Sequence, residues 1–326
     1  MSLIKRAFIV SVAVLMAGGG WLGWKLNDHA PLAPYAERAL PPAPGSGLRV
    51  TFLGVSTLLF DDGETALLTD GFFTRPDLRR MLFQPLVTDQ ELVARSLQRA
   101  GVKRLAAVVV VHTHFDHVMD APEVARQTGA VVVGSESTAN VARGSGIAED
   151  RIKVAQSGAP MQFGKFTVTL IRSRHVSHGK PSGEIREPVK LPLRASDYLE
   201  GGSYSVLIEH EGKSMLVQGS AGYVDGALRG RHAGVVFLGT GLLGAQDEAY
   251  RQAYWKEVVQ AVGARRVIPI HWDDFTKPMT QPLVSLPALL DNFDVSMAFL
   301  QQRGQAESVD VRMAPVWARI DPFAGL

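Results

Sequence analysis

A layered α/β sandwich is the fold class this sequence predicts, and three observations predict it. Short β-branched runs bounded by turn residues recur between positions 48 and 270, as strands do. Longer helix-like stretches interrupt them, so each sheet can be covered on its outer face. Polar clusters stand at the ends of several runs, where folds of this kind build their sites. Together these give two facing sheets with helices outside, a four-layer αββα arrangement.

Composition sets the boundaries. The 326 residues are 46% hydrophobic and 20% charged, enough for a sizeable core. There is no cysteine, which excludes disulfides, thiolate metal sites and lipid attachment through cysteine. The net charge of +2 arises in the first 46 residues, with four Lys/Arg against two Asp/Glu. The remainder is balanced at 30 against 30 and offers no basic footprint, so no nucleic-acid partner is expected.

Three regions follow in order. Residues 1–27 read as a signal anchor or signal peptide: Lys5 and Arg6 precede eighteen uncharged residues, 7–24. That length is near the lower limit for spanning a bilayer and long for a signal-peptide core. Gly18/Gly20 offers only a weak cleavage site, so an uncleaved anchor is favoured over a cleaved signal. The basic residues stay cytoplasmic, which places the body in the periplasm, anchored to the inner membrane or secreted. Residues 28–47, with five prolines, read as an extended linker. Residues 48–326 form the globular body.

In the body, strands are expected at 48–53, 57–60 and 65–69, with Asp61-Asp62-Gly63 turning between the last two. Thr88 and Glu91 have the spacing of a capping box opening a helix that Gly101 closes. Next come the valine run at 108–111, a helix near 120–127 and a strand at 130–133. Further strands are expected at 166–172, 204–209, 214–218, 235–238 and 267–270, with helices near 247–262 and 292–302. Gly239-Thr-Gly-Leu-Leu-Gly244 superficially matches a dinucleotide fingerprint, but no βαβ unit surrounds it and it reads as a loop. No tandem repeat is present.

The chemistry concentrates in Val108 to Met119, VVVVHTHFDHVM. A fully apolar β-branched run is followed at once by His112, His114, Asp116 and His117, and then by a helix start. Neutral imidazole and carboxylate are ligands a zinc-type cation prefers where thiolates are absent. The alternative, a solvated His-rich turn, gains nothing from such crowding. His175 and His271 also follow strand-like runs. So does the turn Gly219-Ser220-Ala221-Gly222-Tyr223.

With these residues the chain resembles the metallo-β-lactamase superfamily, whose H-x-H-x-D-H motif is matched by His112, His114, Asp116 and His117. The resemblance covers about 48–275. It implies the metallo-β-lactamase fold and two zinc ions, one held by His112, His114 and His175, the other by Asp116, His117 and His271. It implies that Asp70 supports the metal-binding loop rather than ligating. One departure stands out. Most members carry a bridging aspartate where this chain has Ser220. The third subclass of metallo-β-lactamases also lacks a ligand there, commonly has serine and still holds two zincs. Two ions are therefore expected here, with the Asp116 site the weaker one. The words Thr69-Asp-Gly-Phe-Phe73, Arg174-His-Val-Ser177, Gly219-Ser-Ala-Gly-Tyr223 and Pro269-Ile-His-Trp272 resemble the branch of N-acyl-phosphatidylethanolamine phospholipase D and the ascorbate-phosphate lactonases.

The implied activity is zinc-dependent hydrolysis of a phosphodiester, lactone, ester or amide. Zinc lowers the pKa of bound water to about 7, which would supply hydroxide at neutral pH. Asp116 would orient that nucleophile and take its proton, and His178 is the candidate for protonating a leaving group, against a solvated loop histidine. Tyr223 is a candidate oxyanion donor, with core packing as the alternative, and Asp225 a candidate replacement carboxylate. A β-lactamase and a non-catalytic metal-binding scaffold or sensor are the other readings. Two long inserts, 72–87 and 176–203, flank the site. The first mixes Phe72, Phe73, Met81, Leu82 and Phe83 with Arg75, Arg79 and Arg80. The favoured reading is that these residues pack on the body with the arginines solvated, and the alternative is a lipid-like small-molecule substrate beside a membrane.

Overall fold

The computed structural model describes residues 18–43, 45, 47–177 and 182–326. Its strands, in chain order, begin with β1 (Arg49–Phe52), β2 (Leu58–Asp61), β3 (Ala66–Thr69), β4 (Pro85–Leu86) and β5 (Ala107–Val109). They continue with β6 (Val131–Gly134), β7 (Ile152–Val154), β8 (Pro160–Phe163), β9 (Phe166–Ser173), β10 (Leu193–Arg194) and β11 (Ser203–His210). The last are β12 (Lys213–Gln218), β13 (Val235–Gly239), β14 (Arg266–Ile270), β15 (Asp310–Val311) and β16 (Arg319–Ile320). One seven-stranded sheet runs β16-β1-β2-β3-β5-β6-β7 and the other β15-β14-β13-β12-β11-β9-β8.

The valine run shows why the layers stack. Successive strand side chains point to opposite faces. Val109 and Val111 accordingly join the core between the sheets, with Phe60, Val206 and Phe237. Val108 and Val110 join a second core under the helices, with Val93, Val118 and Val124. Helices Gln90–Arg99, Ala121–Thr128 and Glu136–Gly144 contribute to that second core. Glu248–Tyr254 and Phe293–Glu307 cover the other sheet, where Tyr254, Trp255, Met297 and Leu300 are buried.

Several local expectations are corrected. The ladder of the valine run ends at Val109, because the Val111 N–H is taken by the Asp70 carboxylate, at 2.9 Å, instead of a neighbouring strand. Thr88 does not cap its helix: Asp89 accepts from Leu92 N at 2.8 Å, while the Thr88 hydroxyl donates to the Met119 carbonyl. The helix expected over 247–262 becomes π-helical at Trp255–Gln260. The two inserts are not independent loops, since β4 and β10 pair antiparallel and join them. The first insert divides: Phe72, Phe73 and Arg75 are buried, whereas Leu82, Phe83, Arg79 and Arg80 are exposed.

The signal or anchor expected at 1–27 lies mainly outside the described residues. Residues 18–25 are helical, and no helix among the described residues is long and apolar enough to cross a membrane. The expected linker is not wholly extended, since Ala33–Arg38 forms a 3-10 helix with Pro34 in its first turn.

Candidate metal centre

Strand ends of both sheets converge on one cluster of imidazoles. His112 and His114 follow the valine run, and His114 opens the single helical turn Phe115–Val118 that carries Asp116 and His117. His175 follows β9 and His271 follows β14. Two groups result, His112–His114–His175 and Asp116–His117–His271, and within each group the candidate ligand atoms lie within 4.8 Å of one another. The groups adjoin: the rings of His112 and His117 are 3.8 Å apart between centroids. These are the six residues assigned to metal from the sequence.

Their electrostatics suit a cation. His112 is 1% exposed, and burial, together with the neighbouring His117, His175, His114 and His271, holds its pKa well below the usual imidazole value. It is therefore neutral at pH 7, the state a metal ligand requires. His112 Nδ1 and His117 Nε2 are buried without a hydrogen-bond partner. Buried imidazole nitrogens left open in this way, beside a carboxylate, fit a divalent ion of the zinc type.

Neighbouring groups fix the rings. Asp70, fully buried at the end of β3, accepts from His117 Nδ1 at 2.8 Å, from the Ser56 hydroxyl at 2.5 Å and from Val111 N. That leaves His117 Nε2 facing Asp116, whose Oδ2 is 3.7 Å away. His175 Nδ1 is 2.8 Å from the Val176 carbonyl, a contact that orients its ring. Such partners set tautomer and ring orientation. Asp116 Oδ2 also lies 3.5 Å from His271 Nε2.

His271 is held across the two sheets. Its backbone adopts φ 56° and its N–H donates to the Val55 carbonyl at 2.7 Å. Val55, also left-handed at φ 50°, donates its own N–H to Asp273 Oδ1 at 2.8 Å. Asp273 Oδ2 meets Arg75 at 2.5 Å, and both side chains are fully buried. A β-branched residue at positive φ is strained, and it persists where its surroundings over-determine it. Gly54 is required here, because a Cβ would come within 1.9 Å of the Arg75 guanidinium.

The remaining candidates are spread out. Ser220 lines the cleft above the metal groups, and its hydroxyl accepts from Val176 N at 3.1 Å. Tyr223 does not line that cleft: its ring packs against Tyr250 and Tyr254, and burial pushes its pKa up. Asp225 is exposed and belongs to neither group. His178 lies outside the described residues. Gly239 ends β13 and residues 240–244 form a loop, of which Gly241 and Leu242 are part of the cleft wall.

Sequence reading missed Ser56, Arg75 and Asp273 as supports, and Phe275, Leu286, Leu289 and Leu290 as cleft walls. The signal within reach was Asp273, two residues beyond His271. The others are recruited only by the fold.

The sequence profile of the beta-lactamase superfamily domain matches residues 66–272, more than half of the chain. The chain belongs to the metallo-β-lactamase superfamily. It is similar to a UPF0173 metal-dependent hydrolase of Rubrobacter xylanophilus, 30% identical over 131 residues, 40% of this chain and 47% of the relative. A UPF0173 metal-dependent hydrolase of Heliobacterium modesticaldum is 25% identical over 239 residues, 70% of this chain and 84% of the relative. The chain spans about half the length of several curated relatives it matches. Among solved structures, Igni18, a metallo hydrolase of Ignicoccus hospitalis, superposes with a TM-score of 0.52 at 17% identity, covering 84% of this chain and 97% of that one. CmlA, a diiron beta-hydroxylase of Streptomyces venezuelae, gives 0.53 at 12% identity, covering 86% of this chain and 54% of that one. At these identities the likeness is one of fold.

Proposed function

We propose that this chain is a zinc-dependent hydrolase of a phosphodiester, lactone, ester or amide, working on the periplasmic side of the inner membrane. The observation that carries this reading is the pair of adjoining ligand groups, each of which contributes one residue, His175 or His271, to the lining of a cleft, with His112 kept neutral by burial. The curated relatives named as metal-dependent hydrolases support the reaction class.

His112, His114 and His175 would hold one ion, and Asp116, His117 and His271 the other. Ions so held supply Lewis-acid polarisation and an acidified water. The chain's own residues do the rest. Asp70 orients His117 through Nδ1. Asp116, the one carboxylate among the six, orients the attacking water and takes its proton. Ser220 lines the cleft without supplying a charged ligand, and its hydroxyl accepts from Val176 N. A second ion would correspondingly be held more weakly.

The test is a screen of the zinc-loaded protein against phosphodiesters, lactones and β-lactams. Turnover of one of the first two supports this reading, and turnover of β-lactams alone makes the chain a β-lactamase. Hydrolysis of nothing, with metal bound, points to a scaffold. CmlA is described as diiron, so elemental analysis should score iron beside zinc.

A further inference from the structure

The cleft above the metal groups has a volume of about 410 Å³, and its wall is built from Val176, Leu242, Phe275, Leu286, Leu289 and Leu290. Apart from His175 and His271, none of the described lining residues is ionisable. Leu289 and Leu290 are 45% and 49% exposed although they are adjacent in sequence. Single exposed leucines need no explanation. A pair of them on the wall of a concavity that reaches two metal-type histidines is a different matter, because pockets of this kind take apolar ligand parts.

The same wall is tied to the N-terminal segment. After His271 the chain doubles back: Leu286 N donates to the Trp272 carbonyl at 2.8 Å and Asp274 N to the Val284 carbonyl at 2.9 Å. The outer side of the returning stretch is then bonded by residues 27–30. Ala288 N donates to the Asp28 carbonyl at 2.7 Å, and the His29 ring lies 2.7 Å from the Ser285 carbonyl. The Ser285 hydroxyl donates to the Ala30 carbonyl at 3.1 Å, and Lys277 reaches Asn27 at 3.2 Å. Residues 18–25, immediately before this tie, are helical and expose Trp21, Leu22 and Trp24. They close the uncharged run 7–24. Aromatic and apolar residues of this kind sit at the level of lipid head groups. The rim of the cleft and residues 27–30 are one hydrogen-bonded unit.

We propose that the cleft binds a membrane amphiphile, with one hydrocarbon chain lying along Leu286, Leu289 and Leu290 and the hydrolysable head group between His175 and His271. This rests on the hydrolase reading and adds the substrate class to it. The neutral wall excludes a second charged group along the chain. The tie at residues 27–30 holds the mouth beside the bilayer from which such a molecule comes. The exposed residues of the first insert, Leu82 and Phe83, are not needed for this account.

The probes are butyl- and octylphosphonate, titrated onto the full-length, zinc-loaded chain in phospholipid nanodiscs. The double variant Leu289→Glu with Leu290→Glu is titrated in the same discs, so that partition into lipid cancels. Both positions are half exposed, and metal content checks that the variant is folded. Each buried methylene tightens binding by up to about fourfold. Octylphosphonate should therefore bind the wild type at least about 30-fold more tightly than butylphosphonate, and the gain should fall below about threefold in the variant. Equal gains in both proteins, or no gain in the wild type, overturn the proposal. Metal analysis separates this from the preceding reading. Metal retained with a flat chain-length response overturns the chain-binding groove alone. Metal absent with the response intact supports the groove and overturns the metal centre.

Discussion

In the first sheet, four of the six ligand candidates lie within the six residues 112–117 that follow a single strand, and Asp70 from the end of the neighbouring strand fixes His117 and the Val111 backbone. In the second sheet, His175 and His271 arrive singly, on strands separated by three others in sheet order. The backbone of His271 is tied to Val55, in the turn between β1 and β2, and through Val55 and Asp273 to Arg75. The first half of the centre is thus built locally. The second half depends on how the sheets meet, and its left-handed backbone at His271 and Val55 records that dependence.

Removing the cross-sheet support should have the largest effect. Arg75→Met leaves the Asp273 carboxylate buried without its cation, which costs about 3–5 kcal/mol. Denaturant unfolding should show that loss, together with weaker retention of one metal ion. A loss below about 1 kcal/mol would mean that the pair does not hold the second half.

Next in size is a pH effect at the loop that lines the second half of the cleft. Asp291 accepts from Leu242 N, and burial pushes its carboxyl up to about 6. A folded-state pKa above the unfolded value contributes stability below about pH 4, and that contribution is lost as pH rises through 6. Between pH 4 and 6 the wild type should lose up to about 3 kcal/mol relative to Asp291→Asn. Parallel stability profiles of the two proteins over that range would remove Asp291 from the account.

The local half should respond more mildly. Asp70→Asn weakens the acceptor of His117 Nδ1, and supports of this kind change metal affinity by about 10- to 100-fold. Competitive chelation reads this directly, and an unchanged affinity would leave Asp70 a purely structural residue. The smallest change is expected from Ser220→Asp, which restores a carboxylate to the cleft and should slow the loss of one ion severalfold. Faster loss would show that Ser220 does not face the second ion.

The same comparison explains what was legible in the sequence. His112 to His117 could be read because strand, ligands and helix start lie within one short stretch, and the valine run reveals burial on both faces through its lack of alternation. His175 and His271 were legible because each follows an apolar run. Arg75 was not, since an arginine in a mixed insert looks solvated until Gly54 makes room for it and Asp273 neutralises it. Thr88 and Asp89 both suit a cap, and the choice was decided by Met119, which takes the Thr88 hydroxyl from another element. Leu289 and Leu290 carry no pattern of their own. Only the return of the chain from His271, bonded to residues 28–30, makes them a wall.

The central claim is that these six residues hold metal, and elemental analysis of the purified full-length chain tests it most directly. The account predicts about two ions per chain in the wild type and loss of most of the metal in His114→Ala. Metal content unchanged by that substitution would contradict it.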